Sequence, residues 1–146
     1  IEVEMPKGAN TGTRLRIQGE GEAGEKGAPC GDLYIVLHVK EHDIFSREDN
    51  DINLDVPISF VQAALGDNIE VPTLEGKAKL KIPPGTQTNT IFRMRDKGIQ
   101  HINGYGIGSE NVKVIVKVPE KLTKKEKQLL KEFEKERKKK RKFKLF

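Results

Sequence analysis

The chain is short of the residues on which several function classes depend. Its 146 residues include no tryptophan, two tyrosines and six phenylalanines, too few to suggest an aromatic stacking platform. A single cysteine, Cys30, rules out an internal disulfide and favours a reducing compartment, so a cytoplasmic setting is expected. No run approaches the roughly 18 consecutive apolar residues that span a bilayer. Glu2 and Glu4 stand where a secretory leader would be positive and then apolar, so no leader is expected there. A basic body is missing as well. The net charge is +5, but residues 137–146 hold seven basic residues and no acid, which leaves −2 for residues 1–136. A folded nucleic-acid surface would need clustered lysine and arginine on that body.

What the chain does have is a repeat. "MPKGANTGTRLRIQGEG" (residues 5–21) and "IPPGTQTNTIFRMRDKG" (residues 82–98) match at a constant offset of 77. Pro6, Gly8, Thr11, Thr13, Arg16 and Gly21 answer Pro83, Gly85, Thr88, Thr90, Arg93 and Gly98. Beyond the following loops, residues 32–39 align with residues 111–118 at an offset of 79, which implies a loop insertion of two residues.

The local signal is mostly β. Leu33, Ile35, Leu37 and Val39 alternate along one face, as do Ile52, Leu54, Val56 and Ile58, and again Val112, Val114, Val116 and Val118. Pro57 would remove a ladder donor, so its strand should lie at an edge or end there. Glu75-Gly76 reads as a hairpin tip. Ser59 can cap a short helix over "FVQAALG", with Gly66 as its left-handed terminator. Thr123 and Glu126 form a capping box ahead of a charged helix, with Glu134–Lys138 and Glu136–Lys140 at favourable spacing. Only the second copy includes the strand and short helix over residues 52–65. Their counterparts would precede residue 1, so the chain reads as a fragment with a truncated first module.

No motif argues for catalysis. "GEGEAG" (residues 19–24) matches a dinucleotide pattern, but glutamates surround it and Gly27 and Pro29 block the helix that would hold phosphate; it reads as a polar loop. "REDNDIN" (residues 47–53) lacks the glycine and the glutamate of a calcium loop and reads as a turn. His38, His42 and Cys30 do not make a zinc set without a second cysteine, and His101 has no activated nucleophile beside it. "RKKKRK" (residues 137–142) reads as a solvated helix end whose cations complement the helix dipole. The competing reading makes this tail an adaptor for nucleic acid or anionic surfaces. Leu122, Leu129, Leu130 and Phe133 form an apolar stripe that must dock on its own β module or on a second copy.

Three stretches carry a resemblance. "GEGEAGEKGAPCGDLYIVLHVK", "DVPISFVQAALGDNIEVPTLEGKAKLKIPPGTQTNTIFRMRDKGI" and "VPEKLTKKEKQLLKEF" resemble the C-terminal region of bacterial-type DnaJ co-chaperones over residues 1–136. Asp49 and Cys30 depart from the family pattern, both in turns. The resemblance implies a mainly β fold of two tandem β-sandwich-like modules, the second with a short helix, then a dimerisation helix. The divisions are residues 1–41, 42–118, 119–136 and a basic tail, 137–146. It implies a non-enzymatic protein that holds unfolded polypeptides by strand addition beside an apolar groove, with Leu33, Ile35 and Leu37 as client-binding positions. It implies a homodimer through Leu122, Leu129, Leu130 and Phe133, and a DnaK-type partner reached through the full-length protein. No His-Pro-Asp signature and no repeated cysteine pairs occur, so neither ATPase stimulation nor a metal or other cofactor is expected of this piece. Nucleic acid is not an expected partner.

Overall fold

A computed structural model describes residues 2–24, 28–102 and 104–141. The last part of the basic tail, residues 142–146 with Phe143 and Phe146, lies outside the described residues. The chain divides into two compact units, Ile1–Val116 and Lys117–Phe146.

The first unit is mainly β, as the period-two alternation predicts. Strands β1 (Arg14–Ile17) and β2 (Leu33–Val36) pair antiparallel as a two-stranded sheet. A four-stranded sheet follows, in the order β3 (Ser46–Glu48), β4 (Asp51–Ser59), β8 (Glu110–Lys117) and β7 (Ile91–Met94). Between β4 and β7 the chain forms α1 (Phe60–Leu65) and the hairpin β5 (Asp67–Thr73) with β6 (Gly76–Ile82). Thr73 pairs with Gly76, so Leu74 and Glu75 make the two-residue turn.

Alternation also places the core. Ile58, Ala63, Ile82 and Val114 form one buried cluster, and Phe45, Ile52 and Leu54 form another. Val112 and Val114 are fully buried, but the inward face of β8 stops at the half-buried Val116; Val118, expected to continue it, is exposed beyond the strand. β3 pairs only with residues 51–53 of β4, so exposed Pro57 lies where no β3 residue needs its missing N–H. Ser59 accepts a hydrogen bond from the Gln62 N–H (3.0 Å), and Gln62 accepts one from the Ser59 N–H (2.9 Å). Gly66 ends α1 at φ 81° and ψ 155°, a positive-φ conformation open to glycine, with ψ outside the left-handed helical range.

The repeat is real in three dimensions, and its offset is 77 throughout. Arg14 pairs with Val36, and Ile91 pairs with Lys113, so both strands of the pair move by the same number. The N–H of Gly12 donates to the Leu37 carbonyl as that of Asn89 does to Val114, each at 2.8 Å. The Val39 N–H donates to Thr11 Oγ1 and the Val116 N–H to Thr88 Oγ1. This corrects the offset of 79 and removes the implied insertion. A slip of two residues keeps every side chain on its own face, so alternation could not distinguish the two alignments.

The glycine-rich loops now have a physical reason. Gly21 N–H donates to the Gly31 carbonyl (2.7 Å), and Gly98 N–H donates to the Gly108 carbonyl (2.9 Å). A Cβ on Gly108 would stand 1.9 Å from the Asn50 carbonyl oxygen, whereas one on Gly31 would meet nothing nearer than 3.9 Å. Gly108→Ala should therefore lower stability by about 1–3 kcal/mol, with Gly31→Ala near neutral. Equal urea midpoints for the two variants would contradict the close approach.

In the second unit, α2 spans Lys124–Arg141, directly after the expected cap at Thr123 and on into the basic block. The capping box sets its start: the Glu126 N–H donates to Thr123 Oγ1 (3.1 Å), and the Thr123 N–H donates to Glu126 Oε1 (2.8 Å). The Thr123 backbone N–H first, and then its side-chain hydroxyl, hold the Glu126 carboxyl below its usual range. Lysine and arginine favour helix, which carries it into the basic block. Glu134 pairs with Lys138 at 2.7 Å as expected, while Glu136 takes Lys139 (3.3 Å) in place of Lys140.

Candidate functional site

The first candidate is the exposed flank of β2. Leu33 and Ile35 are half-buried on one face, and Leu37, on the same face, is 8% exposed. Leu33 and Ile35 are thus open to a ligand, while Leu37 sits in the floor. Pairing brings two residues the sequence reading missed onto this face: Leu15 stands opposite Ile35, and Ile17 opposite Leu33. Directly opposed residues share a face. The alternation in "RLRI" was the available signal. Among the described residues β2 pairs only with β1.

The opposite face is polar at the strand's entrance. Asp32 accepts from Arg16 Nε at 2.6 Å and from the Gly19 N–H at 3.2 Å, and it forms an ion pair with the Arg16 guanidinium. Arg16 first, and then the Gly19 N–H, hold the Asp32 carboxyl below its ordinary range. The same position in the second copy is neutral, with Arg93 Nε donating to Ser109 Oγ at 3.1 Å. Tyr34 and Val36 are exposed beyond this pair.

The second candidate lies on α2. Leu129 and Phe133, one helical turn apart, are 50% and 52% exposed. Leu122 and Leu130 are half-buried, and every residue from 131 to 140 is exposed. A half-uncovered stripe on an otherwise charged helix is a surface suited to association.

A family model described as the DnaJ C terminal domain matches residues 1–119. The chain belongs to the DnaJ C-terminal domain family. It is 62% identical over 131 residues to the chaperone protein DnaJ of Halothermothrix orenii, covering 90% of this chain and 35% of that protein. The DnaJ of Clostridioides difficile is 55% identical over 131 residues, covering 90% and 34%, and that of Methanosarcina mazei 55% over 130 residues, covering 89% and 33%. The chain therefore spans about a third of the length of these relatives.

Other groups in this DnaJ C-terminal domain divide into structural roles and one anomaly. His42 Nδ1 accepts from the Ile44 N–H at 3.2 Å, which makes it a turn cap, and His38 and Cys30 are exposed. Asp51, considered for calcium, accepts through Oδ1 from the Ser109 N–H at 2.7 Å and so ties β4 to β8; Asp49 sits in the expected turn between strands, at φ 54°. Arg47 reaches out of β3 to donate to the Ala9 carbonyl (2.6 Å) and the Gly8 carbonyl (2.9 Å), fastening the first Pro/Gly turn. Glu110 is the anomaly. It is fully buried at the start of β8, and neither carboxylate oxygen has a hydrogen-bond partner. Burial pushes its carboxyl up to about 7, against a smaller opposing pull from Lys97. At the offset of 77 it answers Leu33, a correspondence that the alignment at 79 concealed.

Proposed function

We infer that this chain is the client-holding and self-associating end of a DnaJ co-chaperone. An extended stretch of unfolded polypeptide binds the first module by strand addition and lays alternate apolar side chains on Leu15, Ile17, Leu33 and Ile35, with Leu37 beneath. The single observation that carries this reading is the half-exposed apolar face that Leu15, Ile17, Leu33 and Ile35 share on the β1–β2 pair. Backbone pairing recognises any extended chain, and the face selects for hydrophobicity. Affinity per site is low because the client must be ordered on binding. Two copies joined through Leu122, Leu129, Leu130 and Phe133 would hold one client at two points, raising avidity through effective concentration. The activity is non-enzymatic and calls for no cofactor, the setting is cytoplasmic, and a DnaK-type chaperone is engaged through the rest of the full-length protein.

Suppression of a denatured protein's aggregation tests client holding. Ile35→Asp puts a charge at the centre of the apolar face and should weaken suppression severalfold, since each lost apolar contact is worth about 1 kcal/mol or more. Undiminished suppression by a folded Ile35→Asp chain would remove the groove assignment.

A further inference from the structure

The last two turns of α2 are unlike the rest of the helix. The apolar stripe ends at Phe133. The positions that would continue it hold Glu136, Arg137 and Lys140, all of them exposed, so these turns have no face to bury against a protein core. Glu134 and Glu136 are paired with Lys138 (2.7 Å) and Lys139 (3.3 Å), and no acid follows them in the sequence. Residues 137–146 consist of seven cations and three large apolar residues, Phe143, Leu145 and Phe146, while residues 1–136 carry −2. Complementing the helix dipole uses cations in the last turn, but this run starts before that turn and continues past the end of the helix. Arg137 and Lys140 are three residues apart and Arg137 and Arg141 four, spacings at which like charges repel along a helix. An anionic surface relieves that repulsion.

We propose that the basic end of α2, with the residues that follow it, docks on an anionic lipid bilayer. The apolar residues decide between the possible polyanions. Nucleic acid rewards the cations through its phosphates but offers Leu145 nothing, and two phenylalanines do not make a stacking platform. A bilayer with anionic headgroups rewards both classes of residue. Its phosphates attract the cations, and its acyl boundary takes up Phe143, Leu145 and Phe146. One such signal alone gives weak, reversible attachment, and the two together hold. Docking of this kind goes beyond client holding and does not depend on it. It would bring a client-holding chain to a membrane surface.

Co-sedimentation of the whole chain with vesicles of one part phosphatidylglycerol to two parts phosphatidylcholine tests the proposal. The chain should bind these vesicles and leave pure phosphatidylcholine vesicles largely alone. Raising the ionic strength from about 0.1 M to 1 M shortens the Debye length from about 10 Å to about 3 Å and should weaken the binding. The triple variant Arg137→Gln, Lys140→Gln, Arg141→Gln should lower the partition by about a hundredfold. Glutamine is a good helix former, and far-UV circular dichroism checks that α2 persists in this variant. The triple variant Phe143→Ser, Leu145→Ser, Phe146→Ser keeps every cation and should still lower the partition by about tenfold or more. Equal binding to neutral and anionic vesicles, or none to either, would overturn the proposal. So would anionic binding that the serine variant leaves unchanged, because the surface would then recognise phosphate alone. Tighter binding to a single-stranded or duplex oligonucleotide than to the anionic vesicles would overturn it in favour of nucleic acid.

Discussion

Glu110→Gln is expected to make the protein more stable above neutral pH and to flatten its pH dependence. Burial raises the Glu110 carboxyl from an ordinary 4.5 to about 7. The folded protein therefore holds this proton where the unfolded chain has released it. The stabilisation this provides is complete below pH 4.5 and is lost as the pH rises through about 7. At 1.36 kcal/mol per pKa unit the full loss is about 3 kcal/mol. Glutamine keeps the shape and cannot ionise, so chemical unfolding at pH 5 and pH 8 should show a falling midpoint for the parent and a nearly constant one for Glu110→Gln. Glu110→Leu, which copies the residue at the equivalent position of the first repeat, should be stabilising at both pH values because it leaves no buried polar atom unpartnered. Parallel pH profiles for parent and variants would show that the carboxylate is solvated after all.

On the proposed association through α2, the double substitution Leu129→Asp, Phe133→Asp is expected to leave the chain monomeric. Each side chain is about half exposed and so has roughly 1 kcal/mol of burial still to gain. A two-fold contact uses four of them, or about 4 kcal/mol, which is close to a thousandfold in dissociation constant. Sedimentation equilibrium measures the change, and far-UV circular dichroism checks that α2 persists. Aspartate in a helix interior costs only about 0.5 kcal/mol per site. A chain cut after Glu120 should behave as the double variant does. An oligomeric state unaffected by either change would take the stripe out of the association, and client avidity would need another source.

Much of this architecture is written in local patterns. The alternation of Ile52, Leu54, Val56 and Ile58 marks β4, whose bounds are Asp51–Ser59. Ser59 with Gln62, and Thr123 with Glu126, start the helices where short side chains can satisfy free N–H groups. The hairpin follows from two alternating runs around a glycine, but its turn is Leu74–Glu75, one residue before the expected Glu75–Gly76, because Gly76 pairs with Thr73 in the ladder. The apolar candidates were legible for the same reason, since Ile35 and Phe133 lie on stripes whose period declares their face.

Other features depend on which chain segment lies alongside, and no local pattern carries that. Leu15 and Ile17 join the β2 face through cross-strand pairing, and Leu37 sinks below it although it shares the alternation of Leu33 and Ile35. Glu110 reads as an ordinary polar residue ahead of a strand until the neighbouring strands exclude water from it.

The sequence by itself determined the family, the β-rich character, the doubling and the two apolar stripes, because each rests on short-range periodicity or on residue-by-residue matches. Only the tertiary structure decided that both strands of the repeated pair keep one offset, that a carboxylate lies buried in the second copy and that Leu15 and Ile17 share the face of β2. Alternation repeats every two residues, so it is blind to a two-residue slip. Hydrogen-bond register and the exclusion of water are properties of neighbouring strands, and they exist only once those strands are in place.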